Sequence, residues 1–319
     1  MANVTLRQLR YFDALARCRH FGRAAEQCAV SQPALSMQIQ ELEREVGTPL
    51  VERTRHGVQL TEAGQEIARR AGRILAECRD LLDWARHSSR LLSGILRLGV
   101  IPSVAPYLLP PLLPLLRSEY PDLELHLRET QTQQLTKELL EGKLDVLLLA
   151  LPVDHPDVES IRLVEDRFLL ALPASRKVGR VLATPDLLRR DRLLLLEEGH
   201  CLREQALSYC RLQQVESVNT FGASSLSTIV QMVANGHGIT LLPELSLDLE
   251  ARNDAVRLMR FAEPQPHRVL GLVWRRTSPR KRDFVELGKS VIAVCEQKKR
   301  ERTAPAPSAR ALEPDGQPA

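Results

Sequence analysis

From Ser93 onward, strand-like runs alternate with helical runs, and few folds accommodate this order. The strand-like runs are GILRLGVI, DLELHLRE and DVLLLAL, and the runs between them are APYLLPPLLPLLRSEY and QLTKELLEGKL. Strands joined through a helix pair in parallel. The order therefore predicts an α/β domain built on a parallel sheet.

A second group of alternating segments runs from FLLALP to ITLLPE, and VLGLVWR and DFVELGKSVIAVCEQ then repeat the strand–helix order of the first group. We therefore predict that the chain returns to complete the first subdomain. The charged, Pro- and Ala-rich end predicts a disordered tail. The predicted bounds are about 93–165 and 268–297 for subdomain I, about 166–267 for subdomain II, and 298–319 for the tail.

The N-terminal region contains three short helical patterns, LRQLRYFDALARC, FGRAAEQC and SQPALSMQIQELEREVG, and then two extended pieces that suggest a hairpin. Ser31 is placed to cap the third helix, and Pro33 suits its first turn. The tight AVSQ connection predicts a helix-turn-helix, whose second helix can enter the major groove of DNA. A generic helical bundle has the same spacing and is the alternative.

Polar side chains of the third helix and the hairpin are the candidates for contacting DNA. Gln and Ser offer donors and acceptors to base edges, and Arg can hold phosphates. The predicted DNA-binding residues, within a domain of residues 1–61, are Ser31, Gln32, Pro33, Ser36, Gln38, Gln40, Arg53 and Arg55.

Residues 62–92 predict one long helix. Apolar residues recur along it in steps of four and three, as in a coiled coil. Such a face needs a partner, so we predict a linker helix that forms a dimer. The residues of this face, here called the linker seam, are Ile67, Ala71, Ile74, Cys78, Leu81 and Ala85.

The composition is that of an ordinary globular protein, with 44% hydrophobic and 26% charged residues among 319, and a net charge of +4 is weak evidence for a nucleic-acid partner. MANVTLRQLRYF lacks the features of a secretory signal, and no run approaches the roughly 20 apolar residues of a membrane helix. We expect a cytoplasmic protein without membrane contact, whose thiols are reduced at rest.

Two cysteines, Cys201 and Cys210, lie in GHCLREQALSYC, which predicts a helix. Nine residues of helix rise about 13–14 Å, whereas a disulfide needs Cα atoms within about 7 Å. A bond between them would therefore require the helix to unwind. A reactive thiolate is favoured near cations and helix N-termini; Arg203 follows Cys201, although Glu197 and Glu198 act in the opposite direction. Two inert cysteines in a core helix are the alternative.

The segments FGRAAEQCAVSQPALSMQIQELE and GTPLVERTRHGVQLTEAG resemble the DNA-binding region of LysR-type transcriptional regulators. LGVIPSVAPYLLPPLLP, LEEGHCLREQALSYC, GHGITLLPELS and GLVWRRTSP are similar to the OxyR-type, peroxide-sensing branch. The resemblance covers all but the tail. It implies a winged helix-turn-helix, a linker helix, a redox-sensing effector module over 93–297 like a periplasmic binding protein, and a homotetramer built from dimers on a double-stranded DNA operator.

The resemblance also implies how peroxide is sensed. Cys201 matches the cysteine that hydrogen peroxide oxidises, and Cys210 matches the one that then condenses with it to form a disulfide. Ser103 stands where the family usually has threonine, so the hydroxyl is kept and a methyl group is lost. The residues that match peroxide-positioning or nearby basic positions are Ser103, Thr132, His200 and Arg275.

The implied function is activation of antioxidant genes, with RNA polymerase and cellular thiol reductants as further partners. No enzyme activity or cofactor is expected, and no metal either, because the other cysteines are scattered without a metal-ligand spacing such as CxxC. Two alternatives are a LysR-type regulator that binds a small organic anion between its subdomains, and a thiol peroxidase or disulfide oxidoreductase. The helix-turn-helix disfavours the latter. The cysteines predicted to be structural are Cys18, Cys28, Cys78 and Cys295.

Overall fold

The computed structural model describes most of the chain. It covers residues 3–54, 57–86, 90–177, 182–184, 187–188, 191–212, 222–251 and 254–303, with the backbone alone at 53–54, 83–86, 210–212, 222 and 303. The predicted start of the disordered tail at residue 298 is wrong, because residues 298–303 belong to the last helix; the rest of the predicted tail, from residue 304, lies outside the described residues. Within those ranges, no helix combines the length and the apolar character needed to cross a membrane.

The N-terminal unit consists of three helices and a hairpin. The helices are α1 (Leu6–Cys18), α2 (Phe21–Cys28) and α3 (Gln32–Val46), and the antiparallel strands are β1 (Val51–Thr54) and β2 (Gly57–Leu60). Phe12, Leu15, Leu35 and Leu42 are fully buried between the helices. Thr5 begins α1 with a capping box, in which its hydroxyl and the side chain of Gln8 each bond the other residue's backbone N–H. The predicted helices and hairpin are confirmed.

A long helix, α4 (Glu62–Arg86), leaves this unit and spans about 37 Å. The predicted extension of the helix to residue 92 is wrong, because residues 90–92 are not helical. Leu92 takes a φ of 48° and is buried in the next core, and Arg90 pairs with Asp122 at 2.8 Å. At these contacts the chain leaves the direction of α4 and enters the regulatory module. Ile74 and Leu81 of the linker seam are exposed, at 45% and 69%.

The second unit begins with the predicted parallel strands. These are β3 (Gly94–Val100), β4 (Leu123–Glu129) and β5 (Val146–Leu151), joined by α5 (Ala105–Glu119) and α6 (Thr132–Leu140). Strand β3 lies between the other two and pairs in parallel with both. The chain returns through β11 (His267–Arg275), which pairs antiparallel with β5, so the complete sheet is mixed.

A 16-residue strand, β6 (Val158–Pro173), continues the sheet. Its first part pairs with β11, and its last part pairs with β9 (Thr240–Pro243) and β10 (Val256–Met259). The same strand therefore belongs to both predicted subdomains. The other elements beside it are β7 (Leu195–Leu196), α7 (Cys201–Leu212), β8 (Gly222–Ala223), α8 (Leu226–Ala234), a 3-10 turn at Glu244–Ser246 and α9 (Leu247–Glu250).

The last helix, α10 (Lys281–Thr303), connects the two halves. Phe284 and Leu287, near its start, are buried in the core shared with the first strands. Near its end, Lys298 and Arg302 both pair with Asp248 of α9, at 2.7 and 2.8 Å. A helix of 23 residues thus spans from one half of the unit to the other.

Candidate DNA-binding and thiol sites

The turn between α2 and α3 has the geometry of a helix-turn-helix. Ala29 closes α2 in the left-handed conformation, with φ 55°, and its backbone N–H donates to the carbonyl oxygens of Ala25 and Glu26. Ser31 begins α3 as its N-cap, and its hydroxyl accepts a hydrogen bond from the N–H of Ala34 at 3.4 Å. The predicted cap is confirmed, and its hydroxyl oxygen is already engaged.

One face of α3 is open to a ligand. Gln32 and Gln40 are exposed and Ser36 is half-buried between them, and their spacing of four places them along the same side of the helix. Pro33 is exposed beside Gln32. Gln38 lies on another side, where its amide nitrogen donates to Glu41 at 2.8 Å. The structure therefore separates Gln38 from the other predicted DNA contacts.

The hairpin supplies the remaining candidates. Arg53 lies in β1, opposite Val58 of β2, and its backbone alone is described. Arg55, at the tip, lies outside the described residues. Their roles as phosphate contacts stay predictions.

The second candidate site lies where strands β3 and β4 end. Parallel strands present their carboxyl ends at one edge of a sheet, where ligands commonly bind. Ser103 follows β3 and Thr132 follows β4, and the N–H of Thr130 donates to the carbonyl of Val100 at 3.4 Å. The side-chain amide of Gln131 donates to the carbonyl of Glu198 at 3.4 Å. The segment leading into Cys201 therefore contacts the same edge.

Ser103 belongs to a buried polar network. Arg268 donates to the Ser103 hydroxyl at 2.8 Å and to the Ser103 carbonyl at 3.0 Å. Its Nε donates to Asp166 at 2.9 Å, in an ion pair whose side chains are 0% and 4% exposed. Asp166 also accepts from the N–H of Leu245 at 2.9 Å. Because Arg268 donates to the Ser103 oxygen, the Ser103 proton stays free to donate elsewhere.

Cys201 is the first residue of α7, and Cys210 lies in the same unbroken helix. Cys201 carries a free, half-buried thiol packed against the core, whereas the side chain of Cys210 lies outside the described residues. Their Cα atoms are separated by about 13–14 Å of helical rise. The helix has its own packing, since Leu202 is buried and Tyr209 meets Phe261 edge-on at 5.4 Å.

The polar groups that the sequence predicts to act on the Cys201 thiol have contacts and surroundings of their own. Arg203 directs its guanidinium at the carbonyl of Leu196, at 3.1 Å. His200 is buried, and this burial lowers the pKa of its imidazole, although the Glu197 carboxylate acts in the opposite direction. Burial therefore favours the neutral form of His200. Thr132 has a buried hydroxyl with no hydrogen-bond partner in the described structure.

Arg275 has contacts that its predicted role does not require. It forms an ion pair with Asp80 of α4 at 3.0 Å, and it donates to the carbonyls of Leu139 and Leu144 at 3.1 and 2.8 Å. Burial raises the pKa of Asp80, although the Arg275 guanidinium acts in the opposite direction. Arg275 and Arg268 are about 23 Å apart along β11. Arg268 is therefore the arginine that contacts Ser103.

Two family patterns match the chain. The helix-turn-helix of the bacterial regulatory lysR family matches residues 6–65, and the LysR substrate binding domain matches residues 89–292. The DNA-binding transcriptional dual regulator OxyR of Escherichia coli strain K12 is 40% identical over 291 residues, which are 91% of this chain and 95% of that protein. The chain belongs to the LysR family, in its OxyR branch.

Solved OxyR structures support the same assignment. A cysteine-to-aspartate variant of full-length OxyR from Pseudomonas aeruginosa superposes with a TM-score of 0.79 at 35% identity, covering 91% of this chain and 95% of that one. A hydrogen-peroxide-bound cysteine-to-serine variant of OxyR from Corynebacterium glutamicum gives a TM-score of 0.63 at 34% identity, covering 92% and 94%. The predicted fold, a winged helix-turn-helix followed by a linker helix and a two-part α/β module, is confirmed.

Sequence reasoning about this LysR-family chain missed two residues of the thiol site, Arg268 and Gln131. A charged residue inside the apolar strand HRVLGLVWR needs a buried partner. This signal was available in the sequence and could have identified Arg268. Gln131 carried no such signal, because its contact with Glu198 joins segments 67 positions apart. Across the described residues, no group of three His, Cys, Asp or Glu side chains is arranged to hold a metal ion.

Proposed function

We propose that this LysR-family regulator responds to hydrogen peroxide through a reversible disulfide between Cys201 and Cys210 and thereby activates antioxidant genes. The observation that carries the proposal is the unbroken α7, which contains both positions and begins at Cys201. Reduced and disulfide-bonded forms cannot share this helix, so the bond becomes a conformational signal.

The chemistry balances without a cofactor. The Cys201 thiolate attacks one peroxide oxygen, the O–O bond breaks, and hydroxide leaves as the sulfur becomes a sulfenic acid. The Cys210 thiol then attacks that sulfur and water leaves, which gives the disulfide. A cellular dithiol returns both cysteines to thiols and is oxidised in turn.

The residues around the thiol have separate parts in this proposal. The free proton of Ser103, oriented by Arg268, and the unpartnered hydroxyl of Thr132 hold the peroxide oxygens. His200, whose neutral form is favoured by burial, can accept a hydrogen bond from the peroxide. Arg275 stands apart in this scheme, because its contacts join the linker helix to the regulatory module.

Unwinding α7 has a cost that the oxidation must exceed. Leu202 is 3% exposed, and returning a buried leucine to water costs about 1.5–3 kcal/mol. The contact between Tyr209 and Phe261 is lost as well, at about 0.5–1.5 kcal/mol. The rearranged segment then shifts the regulatory module, and the change reaches DNA through α4 in a homotetramer that recruits RNA polymerase.

The test is a thiol map of the full-length protein. The reduced protein is treated with a slight excess of hydrogen peroxide, alkylated and digested, and the peptides are identified by mass spectrometry. We expect a peptide that links Cys201 to Cys210, which disappears in Cys201→Ser and persists in the matched control Cys78→Ser. If all six cysteines stay free, the redox proposal fails, although the DNA-binding assignment stands.

A second measurement connects the bond to DNA. DNase footprints of the reduced and oxidised forms on the protein's own upstream DNA should differ in length or position, and the difference should vanish in Cys210→Ser. Identical footprints with a confirmed disulfide would refute the proposed switch.

A further inference from the structure

A groove of about 670 Å³ runs between the linker helix α4 and helix α6. Arg73 and Ala76 form one wall, Thr136 and Lys137 form the other, and the loop 152–157 closes one side. The residues that line it in the described part of the chain all fall within 69–157 or 275–277. In the described part of the chain, this linker groove is lined by no residue of subdomain II, although Thr132 also lies at the sheet edge that the Cys201 segment contacts.

Fixed contacts hold the walls in place. The buried pair of Arg275 and Asp80 joins the sheet to α4 at 3.0 Å, and the hydroxyl of Thr277 donates to Glu77 of α4 at 2.9 Å. At the end of α6, Gly142 has a φ of 71°, and a Cβ there would overlap the Cβ of Ala76. The groove is thus a formed cavity of the size that holds small molecules.

Two buried polar atoms at the groove lack partners. The Nε of Arg275 and the hydroxyl of Thr132 are both buried without a hydrogen bond in the described structure, and both residues line the groove. The Arg275 side chain is only 8% exposed. A buried donor without an acceptor destabilises the folded protein. An oxygen-bearing ligand in the groove would give the Arg275 Nε an acceptor, while the Thr132 hydroxyl stays with the proposed peroxide site.

Charge indicates the class of ligand. Arg73 and Lys137 line the groove from opposite walls, and neither side chain has an ion pair or hydrogen bond among the described contacts. The acidic residues near them are engaged, since Glu77 accepts from Thr277 and Glu141 pairs with Lys143 at 2.5 Å. Asp154 and Asp157 lie exposed at the rim. Ala76, Leu140 and Val153 supply an apolar surface.

We propose that the linker groove binds a small organic anion, with its carboxylate or phosphate between Arg73 and Lys137 and its apolar body against Leu140 and Val153. The bound anion joins the helix that carries the DNA-binding domain to the regulatory module. Such a ligand sets the angle of the linker helix. This site goes beyond the proposed peroxide response and uses neither cysteine.

The test is isothermal titration calorimetry on the full-length Cys201→Ser protein, so that thiol oxidation plays no part. The probes are benzoate and phenyl phosphate, with benzamide as the neutral match. The groove variant is Arg73→Gln with Lys137→Gln. Its charge-matched control is Arg117→Gln with Arg282→Gln, at two exposed arginines outside the groove.

We expect at least one anion to bind saturably at millimolar concentration or below while benzamide does not. The groove variant should bind it roughly tenfold more weakly, since two partly exposed charge pairs are lost, and the control should bind it normally. The proposal is overturned if neither anion binds, if benzamide binds equally well, or if both variants bind alike. Stronger binding of benzoate or of phenyl phosphate identifies the preferred headgroup. The thiol map is independent of all these outcomes.

Discussion

Replacing Arg268 with methionine tests the buried network under the thiol site. The substitution removes three hydrogen bonds, one to Asp166 and two to Ser103. The Asp166 carboxylate then keeps the hydrogen bond from the N–H of Leu245 but loses its ion-pair partner. Breaking a buried ion pair by removing one partner costs about 3–5 kcal/mol. We expect a loss of that size, because both side chains are almost fully buried.

The assay is urea unfolding of the full-length reduced protein, followed by the fluorescence of Trp274 in a Trp84→Phe background. Trp274 lies in β11 together with Arg268. With a slope of about 3 kcal/mol per molar urea, the midpoint should fall by about 1–1.7 M. Combining Arg268→Met with Asp166→Asn should restore much of the loss, because the unpaired charge is gone.

The matched control is Arg167, a half-buried arginine on the adjacent strand β6 whose ion pair is open to solvent. Arg167 pairs with Glu263 at 3.1 Å, with side chains 43% and 67% exposed, and such pairs contribute about 0–1 kcal/mol. Arg167→Met should therefore move the midpoint by less than about 0.3 M. If Arg268→Met behaves like Arg167→Met, the reasoning about the buried network is wrong.

Three other changes have defined outcomes. Gln32→Ala should weaken operator binding by about 1–3 kcal/mol, measured by fluorescence anisotropy, with unchanged urea unfolding, because Gln32 is exposed. Burial lowers the pKa of His200, so as the pH falls below about 6.5 the unfolded chain takes up the proton first. The unfolding free energy should then fall, and should fall less in His200→Asn; equal slopes would contradict the assignment. Gly142→Ala should destabilise the protein in urea more than Gly236→Ala, by about 1 kcal/mol or more. Both glycines have positive φ, but only at Gly142 would a Cβ collide, with Ala76; equal losses would refute the contact.

Periodicity was enough to predict the elements of the first sheet. The strands at β3, β4 and β5 are short apolar or alternating runs, and their parallel pairing follows from the helices between them. The antiparallel return of β11 could not be predicted, because strand direction in a sheet depends on contacts between distant segments. The end of α4 was missed for the same reason, since the burial of Leu92 is a tertiary contact.

The sequence predicted several residues of the thiol site but not the contacts between them. A resemblance in sequence motifs identifies matching residues but not the contacts that they make. Ser103 and Cys201 could therefore be predicted from the motifs, whereas Arg268, which donates hydrogen bonds to Ser103, could not. Arg275 was placed near the peroxide because it follows GLVW, whereas its guanidinium pairs with Asp80. Arg268 and Arg275 are seven residues apart, which is an odd number. Because side chains alternate between the two faces of a strand, the two arginines lie on opposite faces of an ideal strand.

The unbroken β6 determines how motion can pass between the two halves. Its 16 residues pair with β11 at one end and with β9 and β10 at the other. The two halves of the regulatory module therefore share this strand. Two subdomains joined only by loops could move independently, so a small structural change in one would not have to alter the other. Here the shared strand, together with the ion pairs of α10 with Asp248, links a local change in one half to the other half. The two halves of the regulatory module are therefore coupled through a continuous strand and a continuous helix.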